Sequence, residues 1–490
     1  MTDPRHLLSD DAMRDFILNG YIAVKTELPA SVFEEAYRQT HETAQKGKVG
    51  GNIMAQAPAL ATVINSDPIR GALTSILGPT YYNLSGSYRH CHHMPPQPAD
   101  ATPGWHKMDN LLFHKDDNWP ARHRCRRVMS IFFPHDCPPD RGPTALIPGS
   151  QYYTRTASAY AHQSIQSTAT AGTVYFIHYD LWHGGTCNYT DQNRYMMKFT
   201  FVRMDEPTEP SWNCRDTAWK PVKRGPSEQQ LNDLWENVWN WNCGKNGFEG
   251  AARLSGRRRK VEDIPRLIAA LRDEDETVSL QSAYALARLG TPAVEPLLAK
   301  LVDEATVGPN ENLNGRNYSK PCQPCQVYYA GYGLAAIGAA AVPGLTRLLR
   351  HEQWWLRAAA ADTLREMGRP GAAAGEALAK ALGDEHQTVR RYAAEALGSI
   401  GVASDTVVRA LLAQLNDKTN EANLHAVTAL ACIRPLPQFA VPVLIKALED
   451  DDVYVRGYAA VALERIGSNE ARKAVAAFVA ARPDEVCLTA

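Results

Sequence analysis

The stretch AGTVYFIHYDLWHGGTCNYTDQNRYMMKFTFVRM, residues 171–204, contains two runs of β-branched and aromatic residues separated by turn-forming residues. Such runs are typical of β-strands. Further runs begin at Tyr81 (YYNLSGSYRHCH), at Arg126 (RRVMSIFFP) and at Thr144 (TALIPGS), and Pro and Gly punctuate them. Many short strands with turn signals between them predict an antiparallel jelly roll of the double-stranded β-helix type.

Helical patterns flank this strand-rich region. Ser9 can cap a first helix, because Asp10 and Asp11 follow it and apolar residues then recur at helical spacing. GYIAVKT predicts a short strand, and a second helix is expected roughly from Ser31 to Lys46. Residues 205–250 are rich in tryptophan, and we interpret them as a cover packed on the barrel. Their aromatic side chains fill a core or line a substrate site.

A repeat occupies the second half of the chain. AGEALAKALGDEHQTVRRYAAEALGSIG (374–401) and AVPVLIKALEDDDVYVRGYAAVALERIG (440–467) each predict two amphipathic helices joined by an acidic turn. The terminal positions Gly368, Gly401, Arg434 and Gly467 recur every 33 residues. About six such units, over roughly 261–467 and with a capping helix after them, predict an all-α solenoid. The units are similar to HEAT-like repeats of the short kind seen in phycobilin-lyase-related proteins.

One repeat is interrupted at about 306–325, where the insertion contains Cys322 and Cys325. A lone CxxC pair has two ligands fewer than a zinc site needs, so an incidental or structural role stands beside metal binding. The predicted domains are therefore an N-terminal domain at 1–250, a basic linker (GRRRK) within 251–260, and a solenoid at 261–490.

Composition narrows the classes of partner and location. The chain has 490 residues and a formal net charge of −1, which gives no reason to expect nucleic acid or an anionic membrane as a partner. No apolar run reaches the length of a membrane span. The ten cysteines are scattered and indicate reduced thiols, so we expect a cytoplasmic protein.

Histidines and one carboxylate predict a metal site in the N-terminal half. Residues i and i+2 of a strand face the same way, so His114 and Asp116 can reach one ion. A distant His183 and an arginine eleven residues later, Arg194, complete the pattern. Two imidazoles and one carboxylate bind Fe(II) on one face and leave positions open, and an arginine fork suits the far carboxylate of 2-oxoglutarate.

Other histidine-containing segments compete for the metal and fit less well. His178 and Asp180 also form an H-x-D pair, but no histidine follows them at a useful distance. His135 and Asp136 lack the intervening residue, and His106 has no carboxylate at the required offset.

The segment from about residue 10 to 204 resembles the phytanoyl-CoA dioxygenase family. The matching pieces are FILNGYIAVK, FHKDDNW, GPTALIPGS and LWHGGT with its following arginine. The resemblance implies a jelly-roll oxygenase that uses Fe(II), 2-oxoglutarate and O2. It implies that His114, Asp116 and His183 hold the iron and that Arg194 binds the C5 carboxylate of 2-oxoglutarate.

Two positions depart from the family. Gln151 replaces the histidine of the family's PGSH, in what we interpret as a turn, and Met196 stands where a hydroxyl residue is common. A second anchor for 2-oxoglutarate must therefore come from elsewhere, and the strand SYRHCHH lies where the family often supplies it. Its two faces both remain candidates. Tyr88, His90 and His92 share one face, and Arg89, Cys91 and His93 share the other.

The sequence also suggests which residues contact the substrate. Trp105 and Trp119 flank the metal segment and are candidates for its mouth, and Arg89 is a further candidate. The arginine-rich segment PARHRCRR (120–127), which follows Trp119, favours either an anionic substrate or a solvated hairpin. In related halogenases a small residue replaces the metal-binding carboxylate, so Asp116 favours hydroxylation, desaturation or cyclisation over chlorination.

Three functions are compatible with this sequence. The first is a small-molecule hydroxylase that produces succinate and CO2, with a solenoid that caps the site, dimerises the enzyme or recruits a partner. A variant of it hydroxylates a peptide or protein held by the repeats. The second is a non-catalytic scaffold protein, and the third is a bilin-lyase-like protein suggested by the repeats alone. The sequence leaves the oligomeric state open.

Overall fold

The computed structural model describes residues 3–47, 52–84, 89–98, 100, 114, 121–154, 163–222, 231–248, 260–305, 328–417, 421–482 and 485. By their internal contacts the residues form two compact units. The first comprises Met1–Met204, Pro210–Arg215 and Arg482–Ala490, and the second comprises Asp205–Glu209 and Asp216–Ala481. None of the helices in the described ranges is long and apolar enough to cross a membrane.

The first unit begins with short helices. Ser9 caps α1 as the sequence predicts, because its side chain accepts a hydrogen bond from the backbone N–H of Ala12. Gly20 ends this helix with a φ of 75°, which a glycine adopts without steric cost. The helices are α1 Asp10–Asn19, α2 Ala30–Gln45, α3 Ile53–Gln56, α4 Ala59–Ile64 and α5 Asp67–Leu77.

In the described ranges of the first unit, nine strands form two antiparallel sheets, as the predicted jelly roll requires. The larger sheet has the order β1-β7-β4-β9-β2, with β3 also paired to β9, and the smaller has the order β6-β5-β8. The strands are β1 Tyr21–Lys25, β2 Tyr82–Asn83, β3 Arg89–Met94, β4 Arg127–Phe132, β5 Thr144–Leu146, β6 Ile165–Gln166, β7 Thr173–His178, β8 His183–Gly185 and β9 Arg194–Val202. The predicted N-terminal fold class is confirmed.

The core of the first unit lies between the two sheets. Met129 and Ile131 of β4 and Ile177 of β7 belong to one buried cluster together with Leu146 of the smaller sheet. Met196 of β9 packs against the same cluster. Side chains alternate along a strand, so the residues two apart from these also face the space between the sheets. We call this the inner face of each sheet.

The opposite face of the larger sheet contacts the helices. Tyr195 lies between inner-face residues of β9, and its hydroxyl hydrogen-bonds with Nδ1 of His41 on α2 at 2.9 Å. Its ring also makes an edge contact with Tyr37 of the same helix. Phe201 makes an edge contact with Tyr81, which follows α5. The alternation of β9 therefore separates an inner side from a helix-covered side.

The second unit is helical. From α7 onward its described helices pair into six repeats, α19 follows the last pair, and the second helices α12, α14, α16 and α18 contact one another in series. The predicted HEAT-like architecture is confirmed. The helices are α6 Asn232–Asn242, α7 Ile264–Ala269, α8 Glu276–Leu289, α9 Val294–Ala305, α10 Tyr329–Ile337, α11 Val342–Leu348, α12 Trp354–Met367, α13 Gly375–Ala381, α14 Gln387–Ile400, α15 Asp405–Gln414, α16 Ala422–Cys432, α17 Val441–Ala447, α18 Val453–Ile466 and α19 Asn469–Ala481.

The tryptophan-rich helix α6 has contacts that differ from the cover expected on the barrel. Asp233 and Glu236 of α6 both pair with Arg288 of α8, so α6 is held against the first repeat. The physical reason is the buried Glu236, which needs a cation, and Arg288 supplies one. The predicted boundaries at 250 and 260 stay predictions. Residues 251–259, and the insertion with Cys322 and Cys325, lie outside the described residues.

Candidate active site

His114 and His183 lie side by side in the structure. The backbone N–H of each donates to the carbonyl of the other, at 2.9 and 3.0 Å, as an antiparallel bridge. Directly opposed residues point to the same face, and the two ring centroids are 4.5 Å apart. His183 is also opposite Leu146, whose side chain is in the inter-sheet core. Both imidazoles therefore lie on the inner face of the smaller sheet.

The orientation of the His183 ring is fixed by a backbone carbonyl. Its Nδ1 donates to the carbonyl oxygen of Leu181 at 2.8 Å, and the residue is buried. This bond selects the tautomer in which Nε2 is left to bind a metal. Leu181 itself belongs to the inter-sheet core, so the packing of the core holds the carbonyl in place.

The pair fits one metal ion. With metal–nitrogen distances of about 2 Å, two imidazoles on neighbouring positions of one ion have ring centres about 4 to 5 Å apart, as His114 and His183 have. Within the described part of the chain, no third His, Cys, Asp or Glu completes a metal cluster with them. Asp116, the predicted third ligand, lies outside the described residues, as does Lys115 between the two.

Arg194 is a buried cation, and the residues that the structure describes give it no acidic partner. It begins β9, has 4% of its surface exposed, and burial lowers the pKa of its guanidinium below the usual value. Its Nη1 donates to the carbonyl of His92 at 3.3 Å, and Nη2 reaches the thioether sulfur of Met94 at 3.7 Å. Nε has no hydrogen-bond partner, and no carboxylate among the described residues pairs with the side chain. Burying a charge in this way is costly unless an anion binds there.

The register of β3 on β9 settles which of its faces is inward. Met94 is opposite Arg194, and His92 is opposite Met196, which packs on the inter-sheet core. His90 and His92 therefore share the inner face with Arg194. Their Nε2 atoms are 2.8 Å apart, a distance at which one ring donates a hydrogen bond to the other.

Arg89 lies on the other face of β3. It is opposite Phe199 on the helix-covered face, is 1% exposed, and donates to the carbonyl of Asn83 at 2.8 Å. Its predicted contact with a substrate stays a prediction, which this position does not support. The facing of β3 depends on its pairing with β9, which the sequence of β3 alone does not contain.

Sequence reasoning missed some contributors to the site. Lys198 is opposite His90 on the inner face, and the Leu181 carbonyl orients His183. The alternation Arg194, Met196, Lys198 along one predicted strand was the available signal for Lys198. No signal in the sequence could have shown the contact of a backbone carbonyl.

The competing histidines are placed elsewhere. His178 is opposite Val128 on the helix-covered face of the larger sheet. His135 is buried, and burial lowers the pKa of its imidazole to about 4. Its Nε2 accepts a hydrogen bond from the backbone N–H of Tyr195 at 3.0 Å, so the ring is neutral and this nitrogen is engaged in the sheet. The remaining predicted site residues, Tyr88, Trp105 and Trp119, lie outside the described residues, as does the competitor His106.

Sequence profiles recognise both halves of the chain. Residues 16–196 match the family described as Phytanoyl-CoA dioxygenase (PhyH), and residues 328–398 and 408–490 match HEAT repeats. No curated protein sequence matches the chain significantly.

Several solved structures are similar to the chain. The non-heme alpha ketoglutarate dependent carbocyclase SnoK from nogalamycin biosynthesis has 16% identity and a TM-score of 0.34, over 42% of this chain and 88% of its own. EctD from S. alaskensis with bound Fe has 18% identity and a TM-score of 0.33, over 40% and 77%. The epimerase SnoN in complex with Fe3+, alpha ketoglutarate and nogalamycin RO has 14% identity and a TM-score of 0.34, over 46% and 95%.

These findings define the class. The N-terminal part of the chain matches a family of dioxygenases over residues 16–196, which confirms the predicted family and enzyme class for this part of the chain. HEAT repeats follow it in the same chain, as the sequence predicts.

Proposed function

We propose that the first unit hydroxylates an unactivated C–H bond of a small molecule. The observation that carries this proposal is the register of the two sheets. It assigns His114 and His183 to the inner face of one sheet and Arg194 to the inner face of the other. Arg194 is a cation with which no described carboxylate pairs. A metal and an anionic cosubstrate between the sheets would use all three residues.

In this proposal His114, Asp116 and His183 hold the iron, and Arg194 holds the C5 carboxylate of 2-oxoglutarate. When bound, the iron and the oxo-acid supply the oxidation, in which 2-oxoglutarate and O2 become succinate and CO2 and the substrate gains a hydroxyl group. The protein would orient the iron ligands and the cosubstrate, and it would exclude water. The Leu181 carbonyl fixes the His183 ring, and the buried surroundings of Arg194 strengthen its attraction for an anion because few waters compete.

His90 and His92 are proposed as the second anchor for the cosubstrate. They lie on the same face as Arg194, and Lys198 is opposite His90, so this part of the inner face is rich in hydrogen-bond donors. Protonation of both imidazoles would break the Nε2–Nε2 hydrogen bond, so the pair carries at most one positive charge while the bond is present. Tyr88 belongs to the same proposal by sequence alternation, and Trp105 and Trp119 are proposed to line the entrance.

Finer points of the function are proposals of the same kind. We propose hydroxylation over chlorination because Asp116 occupies the position at which halogenases need space for halide. A protein or peptide held by the HEAT repeats is the alternative substrate. The cysteine usage of the sequence supports a cytoplasmic location.

An anaerobic titration tests the proposal. Fe(II) is added to the full chain, then 2-oxoglutarate, and a weak charge-transfer band is sought near roughly 500 nm, where bidentate oxo-acid on a facial-triad iron absorbs. We expect the band in the wild type and its loss or alteration in Asp116→Ala. His178→Gln is the matched control, since it changes the other H-x-D segment and should leave the band unchanged. Absence of the band with iron loaded would refute the catalytic proposal.

A further inference from the structure

One arginine position recurs in the repeats and fastens the turn between the two helices of a unit. Arg357, Arg390 and Arg456 are separated by multiples of the 33-residue period. Nη1 of each donates to two successive carbonyls of the preceding turn, for example to those of Asp384 and Glu385 from Arg390, at 2.9 and 3.1 Å. Arg357 and Arg456 make the equivalent bonds at 2.8 and 2.9 Å and at 2.6 and 2.9 Å. In Arg357 and Arg390 this leaves Nε and Nη2 on the other edge of the guanidinium.

In one repeat that other role is a salt bridge to the next repeat. Nε and Nη2 of Arg357 donate to the two carboxylate oxygens of Asp384, at 2.6 and 2.8 Å. The side chains of both residues are 10% exposed, so this is a buried bidentate pair. The geometry shows what the free edge of this arginine recognises, namely a carboxylate.

Arg390 has the same free edge but no carboxylate. One period after Asp384 the sequence has Asp417, yet Arg390 does not pair with it or with any other acidic residue among those that the structure describes. The side chain is half-buried, and its Nε and Nη2 are not among the fully enclosed polar atoms. The bidentate edge that is occupied in the preceding repeat is therefore open here.

Arg390 opens onto a groove between α14 and α16. The groove is shallow and is lined by three kinds of side chain. Arg390, Arg391 and His425 are basic, Gln387 and Gln414 carry amides, and Leu382, Ala394 and Ala422 are apolar. None of these residues is acidic.

The acidic groups around the groove are engaged by other residues. Asp384 and Glu385, whose carbonyls Arg390 contacts, pair through their carboxylates with Arg357. Glu395 accepts a hydrogen bond from Arg391 at 2.8 Å and lies 3.7 Å from Nδ1 of His425. Arg391 is thus paired within the repeats, and Arg390 is the arginine of the groove whose second edge can recognise a ligand.

We propose that this groove binds an extended peptide segment through one Asp or Glu side chain, which takes the place on Arg390 that Asp384 has on Arg357. A peptide fits better than a free anion because the amide of Gln414 can pair with a peptide backbone, while Leu382, Ala394 and Ala422 can contact an adjacent aliphatic side chain. A nucleic acid fits less well, since a single unmatched cation neutralises too few phosphates. The inference is independent of the chemistry proposed for the first unit.

Peptide binding to the full chain tests the inference. The probe is a fluorescein-labelled library of nonapeptides with a fixed central Glu and all residues at the flanking positions, compared with the same library carrying central Gln. We expect fluorescence polarisation to select Glu-centred peptides in low salt. For the best of these, Arg390→Ala should weaken binding by about tenfold or more, because a charge-assisted bidentate contact is lost.

Arg456→Ala is the control, since it removes the two equivalent turn hydrogen bonds in a different repeat, away from the groove. It should leave peptide binding unchanged. Equal binding of the Glu and Gln libraries, or wild-type affinity in Arg390→Ala, would overturn the inference. Full displacement of the peptide by millimolar inorganic phosphate would also overturn it in favour of a small-anion site. An equal loss in Arg390→Ala and Arg456→Ala would show that the turn, and not the groove, matters.

Discussion

Substitution of Arg194 should have opposite effects on 2-oxoglutarate affinity and on the stability of the apo protein. Because it is buried and no described carboxylate pairs with it, its charge costs folding free energy that a bound anion would recover. We expect Arg194→Met to weaken 2-oxoglutarate binding at least 100-fold, since two hydrogen bonds to a charged group contribute about 1.5 to 3 kcal/mol each. The apo variant should nevertheless be as stable as the wild type or more stable. Titration of the anaerobic charge-transfer band measures the first quantity, and urea unfolding of the apo protein measures the second.

Arg194→Lys is the informative companion, because it keeps the charge but loses the planar fork. Its affinity for 2-oxoglutarate should lie between those of the wild type and Arg194→Met. If Arg194→Met bound 2-oxoglutarate normally, the assignment of this residue would be wrong. A marked loss of apo stability would instead show that the guanidinium holds the sheet together through the carbonyl of His92.

His135 should make the first unit sensitive to acid. Burial lowers the pKa of its imidazole from 6.5 to about 4, so between these values the unfolded chain binds more protons than the folded one. The free energy of unfolding is therefore highest above pH 6.5 and decreases as the pH drops towards 4, by up to about 3 kcal/mol. Urea unfolding at pH 7 and pH 4.5 should show a smaller difference for His135→Gln than for the wild type. Identical pH dependence in the two proteins would contradict this role.

At the scale of elements, Gly20 connects a helix end to the metal site. Its φ is +75°, and an added Cβ would lie 2.4 Å from Oε1 of Gln151 and 2.7 Å from a methyl group of Leu181. Leu181 provides the carbonyl that orients His183, so a displaced Leu181 should disturb this proposed metal ligand. Gly20→Ala should lower stability by about 2 to 4 kcal/mol and weaken iron binding.

Gly47→Ala is the control for Gly20→Ala, because Gly47 also has a positive φ, +66°, but an added Cβ meets nothing within 4 Å. It should cost about 1 kcal/mol through backbone strain alone and leave iron binding intact. Chemical denaturation and competition of Fe(II) with a chelator give the two quantities. Equal effects of the two substitutions would show that contact with Gln151 and Leu181 is unimportant.

The repeated arginine allows a second comparison between elements. Arg357→Ala removes a buried bidentate pair and leaves the Asp384 carboxylate without its main partner, at a cost of about 3 kcal/mol. Arg390→Ala removes only the turn hydrogen bonds and should cost about 1 kcal/mol. Unfolding of the full chain in urea, followed by far-ultraviolet circular dichroism, tests the order. A larger effect of Arg390→Ala would mean that Arg390 has a structural partner.

The strands show where prediction from the sequence stops. Alternation within β9 could be read from its letters, and it correctly separates Arg194 from Tyr195. The facing of β3 could not, because a strand of mixed histidine, arginine and cysteine has no apolar side of its own, and its pairing with β9 decides the matter. For this reason the sequence could not place Arg89 on the helix-covered face, where the structure has it. β8 has three residues, too few for periodicity to show, although its histidine was found from its distance to Arg194.

At the scale of the whole molecule, the repeat period predicted the solenoid, but the sequence did not show which element packs against the tryptophan-rich helix α6. The period depends on local spacing, which the sequence contains. The contact of α6 with α8 depends on Arg288, 46 residues after the end of α6 and unremarkable in its own repeat. Composition grouped all the tryptophans of this segment with the preceding domain, but charge pairing joins those of α6 to the first repeat, whereas Trp212 donates to Asp10 of the first unit.

The two compact units should respond differently to the cofactors. A ligand that binds only the folded state stabilises the unit that contains its site, by about 2.7 kcal/mol when it is present at 100 times its dissociation constant. Under anaerobic conditions, Fe(II) with 2-oxoglutarate should therefore slow hydrogen exchange in β4, β8 and β9 and leave α10 to α18 unchanged. His183→Ala, which removes a proposed ligand, should abolish the protection. Hydrogen exchange followed by mass spectrometry resolves both regions in one experiment on the full chain, and cofactor-dependent protection of α10 to α18 would contradict a site contained in the first unit.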